Sequence, residues 1–76
     1  MKAFVIESLR WFVDHPGDLH IHSIDGEKTT VMEIRCHEDD VGKVIGKSGK
    51  VIQSLRTLVA ALAAKENRRA VLEVVE

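Results

Sequence analysis

Three Gly-Lys pairs stand in the twelve residues VGKVIGKSGKVI, from Val41 to Ile52: Gly42-Lys43, Gly46-Lys47 and Gly49-Lys50. Glycine lets a ligand approach the backbone with no Cβ in the way, and lysine adds a mobile positive charge. Both suit phosphate, carried either by a nucleotide or by a nucleic-acid backbone. A nucleotide-hydrolase loop places four residues between its first glycine and the Gly-Lys-Ser. Here only Lys43, Val44 and Ile45 separate Gly42 from Gly46. Those residues continue an apolar helical face, and a short acidic helix start precedes them where a hydrolase would have a buried strand. The hydrolase reading is rejected.

Gly46-Lys47-Ser48-Gly49, set between two helices, suits a sugar-phosphate chain better. Amides at the start of the following helix point at an approaching phosphate, and the helix dipole favours its charge. Lys47 lies in the loop, Lys43 and Lys50 flank it, and Arg56 extends the positive track about two turns on. Ser48 can cap the helix or contact phosphate.

The elements that must position this loop follow from apolar spacing. Residues 2 to about 14 repeat at helical period, with Val5, Leu9, Phe12 and Val13 on one face, and Pro16-Gly17-Asp18 turns the chain. Leu19 to Ile24 and Thr29 to Cys36 alternate as two strands around a tight turn with its tip at Asp25-Gly26 or Gly26-Glu27. Either tip puts Leu19, Ile21, Met32, Ile34 and Cys36 on one side, and His20, His22, Thr29, Val31, Glu33 and Arg35 on the other. Glu38-Asp39-Asp40 opens a short helix as partners of its dipole, with Val41, Val44 and Ile45 apolar. A longer helix runs from about Gly49 to Glu66 and buries Ile52, Leu55, Val59 and Leu62; Asn67 suits its left-handed end. Ala70 to Val75 forms the last strand, with Leu72 and Val74 toward the helices.

Composition narrows the class. At 76 residues the chain has room for one small domain, and its net charge of -1 confines any nucleic-acid site to a local patch. The single cysteine, Cys36, forms no internal disulfide and reads as a small buried residue, which favours a reducing, cytoplasmic setting; no apolar run suits a membrane span. His20 and His22 share a strand face, but nothing completes a metal site with them, and no nucleophile-base pair stands out. A non-enzyme with no metal and no cofactor is expected. The aromatics, Phe4, Trp11 and Phe12, all fall in the first helix, so no strand offers a base-stacking platform. Phe12 fits the core stripe, whereas Phe4 and Trp11 lie on another side and are candidates for a partner interface.

Val44 to Ile52, with the element order around it, resembles the signature of a KH domain, in which a GXXG loop clamps backbone nucleotides. The order resembles the bacterial type II arrangement, and the whole chain, including Ala64 to Arg69, is similar to the KhpA-like family of small single-KH proteins. The resemblance implies an α+β fold of order α-β-β-α-α-β, with a three-stranded mixed sheet and helices on one face. Residues 1–28 would be the α-β extension and 29–76 the core of a single domain. It also implies a groove for single-stranded RNA, with Val41, Val44 and Ile52 as candidates to receive bases or to pack in the core. Polar groups of the Thr29 to Cys36 strand would read base edges. As partners it implies a second copy of the chain, or a larger KH protein of the KhpB or Jag kind, and a role in RNA regulation or chaperoning linked to cell elongation or division; the alternative is a protein-interaction module whose main role is to hold that larger partner, with RNA contact secondary.

Overall fold

Helical spacing forms α1 (Lys2–Arg10) in the computed structural model, which describes residues 1–75, and α1 buries Val5 and Leu9 completely. The helix ends about four residues earlier than its periodicity predicts. The amides of Asp14 and His15 donate to the carboxylate of Asp40, at 3.1 and 2.9 Å, so they are not available to continue the helix. Phe12 therefore falls beyond α1, and it is 49% exposed where the sequence placed it in the core stripe. Val13 stays buried.

A 3-10 turn at Pro16–Asp18 leads into β1 (His20–Asp25), which pairs antiparallel with β2 (Thr29–Arg35). Asp25 lies opposite Thr30, and the Gly26 amide donates to the Thr29 carbonyl, so the tip is Glu27-Lys28, not Asp25-Gly26 or Gly26-Glu27. The Arg68 guanidinium fixes it from outside, donating to the Gly26 and Glu27 carbonyls and to Thr30 Oγ1. Moving a two-residue tip along by one residue shifts each cross-strand partner by two, which leaves side-chain facing unchanged. Leu19, Ile21, Met32 and Ile34 are buried as expected, and Cys36 packs against the same core.

β3 (Arg69–Val75) joins the other edge of β2 in parallel, giving the order β1-β2-β3. Leu72 faces the helices with Val74, and Val71 lines up with Val31 and Ile24 across the opposite face. One cluster joins Val5 and Leu9 of α1, Val44 of α2 (Val41–Ile45), and Ile52, Leu55 and Val59 of α3 (Lys50–Ala64) to the inner sheet residues. The helices thus share one face of a mixed sheet, the α+β arrangement expected. Each fully buried leucine or isoleucine contributes about 1.5–3 kcal/mol of transfer free energy.

Leu62, expected in the core, is a partly exposed rim residue, and Ala63 is buried in its place. At 100° per residue, position 63 lies about 20° from the direction of Ile52, whereas position 62 lies about 80° away. Asn67 has φ 57°, as expected, and the bonds from Arg68 N–H to Ala63 O and from Asn67 N–H to Ala64 O complete a Schellman end.

Candidate functional site

The chain reverses between α2 and α3 in four residues, and three of them have positive φ: Gly46 at 81°, Ser48 at 56° and Gly49 at 73°. The two glycines do different work. Gly46, with ψ 170°, lies in a region essentially reserved for glycine, and a Cβ there would meet Val51 Cβ at 2.7 Å and Val51 N at 2.8 Å. A Cβ on Gly49 would meet nothing within 4 Å among the described residues. The first glycine lets the loop close onto α3, and the second leaves its outer side open.

Of the two roles open to Ser48, capping the helix is not the one it takes. It is itself left-handed, Gly49 holds the N-cap position of α3, and among the described residues no side chain bonds the first amides of that helix. The loop is held by backbone bonds from Gly46 N–H to Gly42 O and from Gly49 N–H to Gly46 O. The amide end of a fifteen-residue helix thus starts from a left-handed turn with no side-chain cap among the described residues.

The charged residues separate into free and paired. Lys47 and Lys50 are exposed and take part in no ion pair among the described residues. Lys43 is paired with Asp14, whose hydrogen bond and charge, with the fields of Asp40 and Asp39, raise its ammonium above the ordinary lysine value against the cost of desolvation. Arg56 projects from α3 to the free edge of β3, where its Nε donates to the Leu72 carbonyl at 3.1 Å. Arg56, Ala60, Arg68, Arg69 and Ala70 border an open hollow between α3 and that edge. The structure thus places β3 beside α3. β2, the expected base-reading strand, is central, and its backbone is engaged on both sides.

Of the apolar candidates, Val44 is 0% exposed and Ile52 is buried with it, so both pack in the core, the competing role left open by the sequence. Val41 is half-buried at the start of α2. Phe4 is partly exposed and Trp11 is 88% exposed.

Sequence reasoning missed Asp40. The sequence suggested a dipole partner, and the structure shows a carboxylate with no exposed surface that binds the Asp14 and His15 amides and lies 3.2 Å from His15 Nδ1. Burial alone would raise its pKa, but the two amides and the imidazole hold it below the ordinary aspartate value. Burial, then the charge of Asp40, pushes the Cys36 thiol up. No local pattern marks Asp40 as buried, because its donors lie 25 and 26 residues away.

A GXXG loop joining two helices, packed on a mixed three-stranded sheet in the order α-β-β-α-α-β, defines a KH domain of the type II arrangement. The chain belongs to the KhpA/KhpB KH-domain family, whose description matches residues 2–74. It is 42% identical over 73 residues to a Borreliella burgdorferi protein named RNA-binding protein KhpA, covering 96% of this chain and 85% of that one. A Clostridium perfringens protein of the same name is 39% identical over 99% of this chain and all of its own length. The Chlamydia trachomatis protein of that name is 34% identical across 100% of this chain and 97% of its own. No solved structure matches the chain significantly. Among the described residues, no helix is long and apolar enough to cross a membrane.

Proposed function

We propose that this chain binds single-stranded RNA in the cytoplasm, as a binding protein and not an enzyme, with the sugar-phosphate backbone held at Gly46-Lys47-Ser48-Gly49. The observation that carries this reading is the loop itself: three positive φ angles, open space beside Gly49, and the uncapped amide end of α3. Left-handed Ser48 costs about 1–2 kcal/mol relative to a right-handed conformation, a strain that persists where the backbone shape is needed. Lys47 and Lys50 supply charge without first leaving a carboxylate, whereas Lys43 must share Asp14. Bases would run from the loop along α3 toward the hollow at Arg56 and β3. Half-buried Val41 flanks this path, and Val44 and Ile52 support it from the core. The names of the relatives agree with RNA as the ligand.

A site of about four nucleotides binds weakly, and a second linked site multiplies its affinity. We place self-association, or pairing with a larger KhpB- or Jag-like protein, on the aromatic side of α1. Trp11 and Phe4 lie two turns apart there, and Trp11 is almost wholly exposed. The test is fluorescence anisotropy with short single-stranded RNAs, comparing wild type with the Lys47→Asp, Ser48→Asp double variant after circular dichroism shows both folded. Loss of binding in the folded variant supports the clamp. Equal binding removes the loop from the mechanism.

A further inference from the structure

His15 lies in the turn between α1 and β1, and His37 and Asp39 lie in the turn between β2 and α2. The fold brings a ligand atom from each of the three within 4.8 Å of one another. Two imidazoles and a carboxylate, with water as the fourth ligand, form a donor set suited to a tetrahedral zinc-class cation and poorly suited to magnesium or calcium.

One of the three pairs already lies near ligand spacing. His37 Nδ1 lies 3.6 Å from Asp39 Oδ2, and two ligand atoms at ordinary zinc distances and a tetrahedral angle lie about 3.3 Å apart. His15 is held from behind: its Nδ1 lies 3.2 Å from Oδ2 of the fully buried Asp40. With Nδ1–H donating to that carboxylate, Nε2 keeps its lone pair and a fixed direction, as in the carboxylate-histidine pairs that stand behind metal ligands. The two rings are stacked, with centroids 3.9 Å apart and planes 14° apart, so a shared ion requires one ring to turn about its Cβ–Cγ bond. That torsion is broad and soft. The ring that turns is His37, whose Nδ1 accepts an exposed bond from the Asp39 amide, a partner that the ion would replace, and the exposed Asp39 carboxylate follows the ring to restore the ligand spacing. The carboxylates of Asp14, Asp39 and Asp40 beside Lys43 leave the surroundings net negative.

We infer that His15 Nε2, His37 Nδ1 and an Asp39 oxygen form a binding site for one zinc-class divalent cation, with Asp40 as the positioning residue for His15. Cys36 packs against the core and is outside the set. The bound ion ties the turn after α1 to the start of α2, the helix that leads directly into the glycine loop. The test of this site needs no RNA.

The test is calorimetric titration of the untagged, chelator-stripped full chain with zinc chloride, with cobalt(II) absorption as a geometric probe. The expected result is one equivalent of zinc and the visible bands of tetrahedral cobalt. His37→Asn keeps a capping acceptor for the Asp39 amide and should weaken binding at least about tenfold, as should His15→Gln and the exposed Asp39→Asn. The His20→Ala, His22→Ala pair lies on the opposite face of the sheet and should bind as wild type does. If either histidine variant fails to fold, Asp39→Asn decides. Wild-type affinity in a folded ligand variant, loss of binding with the His20/His22 pair, or no saturable binding by wild type overturns the site.

Discussion

Replacing the two loop glycines one at a time separates folding from binding within four residues. Gly46→Ala meets two costs. Its φ of 81° with ψ of 170° is a region that an alanine occupies at about 1–3 kcal/mol. Its methyl would also lie 2.7 Å from Val51 Cβ and 2.8 Å from Val51 N, and no rotamer of Val51 moves those atoms away. Overpacking of that kind adds about 1–3 kcal/mol, for a total of about 2–6 kcal/mol. Gly49→Ala meets only the left-handed penalty of about 1–2 kcal/mol, because nothing among the described residues lies within 4 Å of its added methyl.

A chain of 76 residues has a stability of about 4–11 kcal/mol, so Gly46→Ala removes a large share of it and Gly49→Ala a small one. The assay is urea denaturation followed by circular dichroism. With a slope of about 1 kcal/mol/M for so small a domain, the midpoint falls by about 2–6 M for Gly46→Ala and about 1–2 M for Gly49→Ala. The folded Gly49→Ala protein should nevertheless lose RNA affinity, since its methyl takes the space proposed for phosphate. A midpoint for Gly49→Ala equal to or below that of Gly46→Ala would refute the steric reasoning. Undiminished RNA binding by Gly49→Ala would refute the proposed approach of the phosphate.

Lys47→Ala should lower RNA affinity and reduce the slope of log affinity against log salt by about 0.7, the contribution of one phosphate contact to a single strand; an unchanged slope would place Lys47 outside the clamp. Trp11→Ala should change folding stability by no more than about 0.5 kcal/mol, since the side chain is 88% exposed, while shifting any self-association seen by sedimentation toward monomer; a large stability loss would mean the indole packs in the native state. Asp40 should make the fold acid-sensitive. Its folded pKa lies below the unfolded value of 3.8, so its stabilisation is complete above that value and is lost as pH falls through the folded pKa. Measured with chelator present, wild type should lose more stability than Asp40→Asn between pH 6 and pH 2; parallel losses would show that Asp40 carries no linked proton.

The sequence revealed what neighbouring residues decide. The alternation of Leu19, Ile21, Met32 and Ile34 sorted the sheet faces correctly even though the turn was misplaced, because facing depends on parity, and the true Glu27-Lys28 tip has the same parity as the two tips expected. Asn67 and the glycine loop were legible for the same reason: a left-handed residue and a two-glycine reversal are local needs with local residues to meet them. The misreadings share the opposite cause. The end of α1, the exposure of Phe12 and the burial of Asp40 are one event, in which a carboxylate draws the amides of Asp14 and His15 out of helical register. Periodicity extends a helix until a residue forbids it, and nothing in residues 11–14 does. The same contact carries His15 to His37 and Asp39. Histidines were visible in the sequence as a strand pair, His20 and His22, but the cluster with ligand geometry comes from two turns that only the folded chain brings together. A buried acid that binds the backbone of a distant turn therefore both ends a helix and assembles a side-chain cluster, and each effect is read only with the other.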